Sequence, residues 1–149
     1  MELMNKLWAA AKADKRRIVL PEGDEERTIK ATGKIVELGL AKPVLVGDEN
    51  VIRNKAKDLD VDLTGVEVVD PNKSDRLEAY INAFYELRKN KGMTMEKADK
   101  IVRDPLYFGT MMVKLDDADG MVLVAVHTIG YLLRPGLQII KTTLGVPVV

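Results

Sequence analysis

Cysteine is absent from this 149-residue sequence, and histidine occurs once. The first absence excludes disulfides and thiol catalysis. Together the two remove the usual zinc ligands, so no metal site is expected. A surplus of one charge is missing as well, since 23 basic residues stand against 23 acidic ones. A balanced chain has no strong field for nucleic acid or an anionic membrane, and neither partner is expected. No apolar run is long enough to cross a bilayer, and charges interrupt the opening MELMNKLWAAAKADKRR, unlike a signal peptide. A cytoplasmic protein is the expectation. Glycine-rich phosphate loops are lacking too: the turn PEGDEER has one glycine where Walker and dinucleotide loops need several. There is no Gly-x-Ser-x-Gly nucleophile elbow either.

What is present is an ordinary globular balance, 46% apolar and 31% charged, over a length that suits one domain spanning residues 1–149. Leu3, Leu7 and Ala10 or Ala11 share one side of a helix expected over 3–13. Ile18 to Leu20 form a buried strand ended by Pro21 and Gly23. Asp24 is placed to cap the next helix, whose inner stripe is Ile29, Ile35, Val36 and Leu40, with Gly39 near its end. A second strand covers Val44 to Val46, a helix follows in ENVIRNKAKDL, and Glu67 to Val69 make a third strand. From Ser74 to Leu115 only helices are expected, with Ser74 and Thr94 as N-caps and Gly92 and Pro105 as punctuation. DGMVLVAV is a continuous apolar run, the pattern of a central parallel strand covered on both faces. GYLLRPGLQIIKT reads as a helix with Pro135 as kink or late start, and VPVV as the beginning of another strand. Alternating strands and helices specify an α/β fold, a three-layer α/β/α sandwich with a mainly parallel sheet.

Most chemistry-bearing residues have a plain structural reading. Met95, Met111 and Met112 fall at helical spacing and suit core packing. Lys89, Lys91, Lys97, Lys100 and Arg103 are interleaved with acids, as on a solvated face. Arg88 ends a helix that carries Ile81, Phe84 and Tyr85. Arg134 lies just after an expected strand, where ligands of open α/β sheets collect. A guanidinium there clamps a phosphate in a planar, two-toothed way, or serves as a salt bridge or helix-end charge. His127, at the same strand end, either donates to a ligand or makes a structural hydrogen bond.

The stretches IVLPEGDEERT, AYINAFYELRKNKGMT, DPLYFGTMMVKL, DADGMV and LLRPGLQIIKT run along essentially the whole chain. They closely resemble the N-terminal part of the phosphate acetyltransferase (phosphotransacetylase) family. The resemblance implies two α/β domains with a cleft between them and a tendency to form homodimers. It also implies interconversion of acetyl-CoA plus phosphate with acetyl phosphate plus CoA. In the mechanism proposed for the family, a carboxylate deprotonates the CoA thiol; no metal and no cofactor beyond CoA or acetyl-CoA as substrate is implied. Arg88 in YELRK and Arg134 in LLRPG match the family's substrate-binding arginines, and His127 and Thr128 match its small polar loop.

Departures from the family pattern sit in that loop. Where the family reads Ser-Gly-Ala-x-His, with Thr and Asp shortly after, this chain has Leu123, Val124, Ala125, Val126 and His127, then Ile129 and Tyr131. Thr143, Leu144 and Gly145 replace the family's Ala-Pro-Gly. Members are also about twice this length, which implies that the catalytic carboxylate belongs to a domain this chain does not carry. No catalytic residue is therefore assigned, and turnover by this chain alone is not expected. The apolar loop predicts a cleft repacked inward, each buried side chain adding roughly 1.5–3 kcal/mol, or an apolar surface for another protein. Two readings follow: a family domain that retains weak CoA or phosphate binding through Arg88 and Arg134, or an engineered non-catalytic module built for stability or self-association through the loop or the sheet edge at VPVV.

Overall fold

A computed structural model describes residues 1–123 and 126–146. Four short strands form one parallel sheet among these residues: β1 (Arg17–Leu20), β2 (Lys42–Val46), β3 (Glu67–Val69) and β4 (Gly120–Met121), in the order β3-β2-β1-β4. The register sets Val19 opposite both Val44 and Met121, and Leu45 opposite Val68. Because alternate side chains point to opposite faces of a strand, β1 and β2 feed two separate cores. Val19, Val44 and Val46 pack with Tyr80, Phe84, Phe108 and Met111. Leu20 and Leu45 pack on the other side with Ile29, Ile52 and Ala56.

The helices supplying those residues lie on both faces, so the fold is the expected three-layer α/β sandwich. Helices α2 (Glu26–Leu38) and α3 (Glu49–Asp58) cover one face. Helices α4 (Leu77–Arg88), α5 (Met95–Val102) and α6 (Pro105–Lys114) cover the other. Each buried Phe, Met or Leu contributes about 1.5–3 kcal/mol to holding them there. The helix starts are set by side chains that accept orphan backbone N–H groups: Asp48 from Val51, Thr94 from Lys97 and Asp104 from Leu106. Pro105 occupies the first position of α6, where its missing N–H costs nothing. Gly39 closes α2 in the left-handed conformation at φ 65°. Among the described residues no helix is long and apolar enough to cross a membrane.

Several local expectations change. The cap of α2 is Glu25, accepting from Thr28 N at 3.1 Å, rather than Asp24, because the helix starts one residue later. Ser74 does not cap α4; its Oγ accepts from Arg76 N at 3.2 Å in the preceding turn. Met95 is exposed, whereas Met111 and Met112 are core. The first helix, α1 (Glu2–Ala13), forms as expected, yet none of its residues is buried; Leu3, Met4, Leu7 and Trp8 face solvent. Strand β4 is an edge of the described sheet, not its centre. Val122 N still donates to Val19 O at 3.0 Å, but Val122 and Val126 are exposed, since no described strand lies on the far side. Pro135 ends α7 (Ile129–Pro135), and a π-helical turn over Gly136–Ile140 follows, with Lys141 N bonding Gly136 O at 2.8 Å. Val124 and the strand expected at VPVV from Pro147 onward lie outside the described residues.

Candidate functional site

Beyond the carboxyl ends of β1 and β4, two polar clusters meet around the start of α6. The first begins at Glu22, in the turn that leaves β1. That turn presses against β2: Gly23 N donates to Val46 O at 3.2 Å, and a Cβ at Gly23 would sit 2.6 Å from that oxygen. Only glycine permits so close an approach, and it carries the Glu22 carboxylate inward, with 8% of the side chain exposed. Glu22 Oε1 accepts from His127 Nδ1 at 2.8 Å and from Val126 N at 3.3 Å. With a carboxylate as acceptor, Nδ1 carries the imidazole proton, and Nε2 has no partner among the described residues.

Tyr131 completes this cluster. Its ring stacks on His127 with centroids 4.8 Å apart and planes 26° from parallel. Its hydroxyl donates to Asp104 Oδ2 at 2.5 Å, while Asp104 Oδ1 caps α6 through Leu106 N at 2.9 Å. Burial, and then the bond to Asp104, push the Tyr131 phenol above the usual tyrosine range. A cavity of about 370 Å³ opens here, lined by Glu22, Lys55, Asp104, Leu123, His127 and Tyr131 among others.

The second cluster joins three helical segments. Arg88 is the last residue of α4, Tyr107 lies in the first turn of α6, and Arg134 precedes Pro135 in α7. The Tyr107 ring meets Phe84 edge-on at 5.8 Å, and its hydroxyl donates to Gln138 Oε1 at 3.1 Å. Burial raises the Tyr107 phenol, and the charges of Arg134 and Arg88 oppose that rise. Both guanidinium groups therefore lie within electrostatic reach of one hydroxyl. Neither has an acidic partner among the described residues, and Arg88 Nε is buried without an acceptor. A buried donor with no acceptor is costly, and an anion in this position would satisfy it.

The expected site residues therefore separate. Arg88, Arg134 and His127 border the two clusters. Thr128 is exposed at the N-terminal end of α7, with no capping bond from its side chain. Leu123 and Tyr131 turn inward, but Ile129 is 75% exposed, so the altered loop does not fold into the cleft as a unit. Glu22, Asp104, Tyr107 and Gln138 had no separate signal in the sequence, although Asp-Pro at 104–105 is a helix-start pair. Among the described residues no group of three or more His, Asp or Glu side chains converges as a metal cradle.

Residues 2–149 match the family described as phosphate acetyl/butaryl transferase. Over all 149 residues the chain is 56% identical to the phosphate acetyltransferase of Clostridium acetobutylicum, covering 45% of that protein. It is 48% identical over 149 residues to that of Acetivibrio thermocellus, covering 44% of it. The fold matches a phosphotransacetylase from Streptococcus pyogenes with a TM-score of 0.91 and 37% identity, over 98% of this chain and 44% of that one. A phosphotransacetylase from Staphylococcus aureus gives 0.89 and 36%, with the same coverage. The chain thus spans less than half the length of these relatives and corresponds to their N-terminal portion.

Proposed function

The chain belongs to the phosphate acetyl/butaryl transferase family, and from that premise we propose that it is a phosphate acetyltransferase-derived domain whose Arg88 and Arg134 bind phosphate or acetyl phosphate. The observation carrying this reading is the buried Arg88 Nε without an acceptor, on a guanidinium that, like that of Arg134, has no acidic partner among the described residues. Arginine suits the task because its fixed fork of donors matches phosphate oxygens. Acetyl transfer to or from CoA requires two substrates positioned at once, and the described residues offer a face for one anion. For this chain alone the reading is anion binding without CoA turnover. Calorimetry with phosphate and with acetyl phosphate tests it. Heat that is lost in both Arg88→Ala and Arg134→Ala is expected; no heat at millimolar ligand, or equal heat in the variants, overturns it.

A second reading is supported by a different observation. Ile129, Leu133, Leu137 and Ile140 are all exposed along α7 and the π-helical turn. This apolar strip suits a self-associating, non-catalytic module, engineered or otherwise, in the manner of exposed patches that become interfaces. Light scattering across a concentration series measures it. A mass above one chain that falls to one chain in Leu133→Glu supports this reading, and a monomer throughout removes it.

A further inference from the structure

The pairing of Glu22 with His127 is left unused by anion binding. A buried carboxylate that fixes one imidazole nitrogen, with the other free beside a cavity, is the arrangement that makes histidine a general base. The ring is also locked from the side by Tyr131, which Asp104 anchors in turn. Arg134 follows Tyr131 by three positions on α7, one turn along the same side of that helix, and Asp104, which holds Tyr131, caps the turn of α6 that carries Tyr107. The imidazole cluster thus adjoins the cluster of the anion-binding arginines. His127 is not enclosed: 46% of its side chain is accessible, and water reaches it through the cavity of about 370 Å³.

We infer that this chain hydrolyses acyl phosphates, with His127 Nε2 as general base and Glu22 as the residue that positions it. The inference rests on the reading of Arg88 and Arg134 as the phosphate-binding pair. Nε2 takes a proton from water as the water oxygen bonds to the acyl carbonyl carbon. The bond from that carbon to the bridging phosphoryl oxygen then breaks. Phosphate departs and receives the proton held on His127, and the new carboxylic acid releases its own proton to solvent. One acyl phosphate and one water thus give one carboxylate, one phosphate and one proton, with no other reactant.

The experiment follows acetyl phosphate in ¹⁸O-labelled water, with the label located by mass spectrometry and phosphate binding measured separately by calorimetry. Hydrolysis above the buffer rate with ¹⁸O in acetate is expected. His127→Ala should slow it by about 100-fold, as removal of a general base does, while still binding phosphate. Because His127 is partly exposed, that variant should keep the circular dichroism of the parent. Glu22→Gln, which keeps a hydrogen-bonding side chain, should slow turnover with little change in KM. Label in phosphate instead of acetate, or a rate unchanged by His127→Ala, overturns the inference. Phosphate binding without hydrolysis overturns it too, but leaves the arginine site standing. Loss of phosphate binding in the parent chain removes that site as well.

Discussion

Asp104 holds Tyr131 with one carboxylate oxygen and the start of α6 with the other, at 2.5 Å and 2.9 Å. One side chain thereby ties α7 to α6, the helix on which Tyr107 sits. Tyr131→Phe removes the bond and leaves the ring stacked on His127. A hydrogen bond to a charged group is worth about 1.5–3 kcal/mol, so the variant should unfold at lower urea with an unchanged m value. Asp104→Ala should cost more, because it removes a helix cap worth about 1 kcal/mol as well. A double-mutant cycle in which the two effects simply add would refute the coupling.

Tyrosine ionisation predicts an alkaline limit to stability. Tyr80 is pushed above the usual tyrosine range by burial and then by its bond to Asp117, and Tyr131 by burial and its bond to Asp104. A group whose folded pKa is raised favours the folded state below its unfolded pKa. That contribution is lost as pH climbs from the unfolded value through the folded one. Stability should therefore fall above the ordinary tyrosine range. The fall should be shallower in Tyr80→Phe and Tyr131→Phe, as thermal melts across alkaline buffers would show. Parallel pH curves for parent and variants would sink this account.

The two cores were legible because their signals are local. Pro21 and Gly23 bound β1, Gly39 stops α2, and Thr94 starts α5. The site was less legible because it depends on tertiary contact. Glu22 sits among other acids in PEGDEER, and only the approach of Gly23 to Val46 selects it. Arg88 and Arg134 stand out by their places at a helix end and after a strand, and by resemblance, while Tyr107 lies inside a matching stretch with nothing in the sequence to single it out. The sequence groups Leu123, Val124, Ile129 and Tyr131 as one apolar cluster, but Ile129 and Tyr131 lie two positions apart on α7. Residues so spaced point to different sides of a helix. Tyr131 faces the cavity and Ile129 faces solvent. The continuous run after Gly120 pairs in parallel with β1 as far as Met121, at an edge of the described sheet.

Trp8 offers a direct readout of α1. It is the single tryptophan of the chain and is 40% exposed on a helix with no buried residue. In dilute solution its emission should be that of a solvated indole and should change little on unfolding in urea. A blue shift that grows with protein concentration would mean that α1 has found a partner surface. Emission already blue-shifted and concentration-independent would contradict the exposed placement of α1.

Two glycines should respond in opposite directions to the same change. At Gly23 an added methyl group would meet the Val46 carbonyl oxygen at 2.6 Å and Ile52 Cδ1 at 2.9 Å, with Val46 N at 3.1 Å. Two of those three atoms are backbone in β2, so the turn must move rather than a side chain, and overpacking of this kind costs about 1–3 kcal/mol. Moving the turn would also carry Glu22 away from His127, so Gly23→Ala should lose hydrolytic activity along with stability. Gly130 lies in α7 with nothing within 4 Å of its would-be Cβ. There alanine removes only the conformational freedom of the unfolded chain, a gain of about 0.5–1 kcal/mol in a helix. Urea denaturation of the two variants beside the parent decides the matter. A Gly23→Ala chain as stable as the parent would mean that the turn after β1 does not rest on β2, and the position of Glu22 would lose its structural cause.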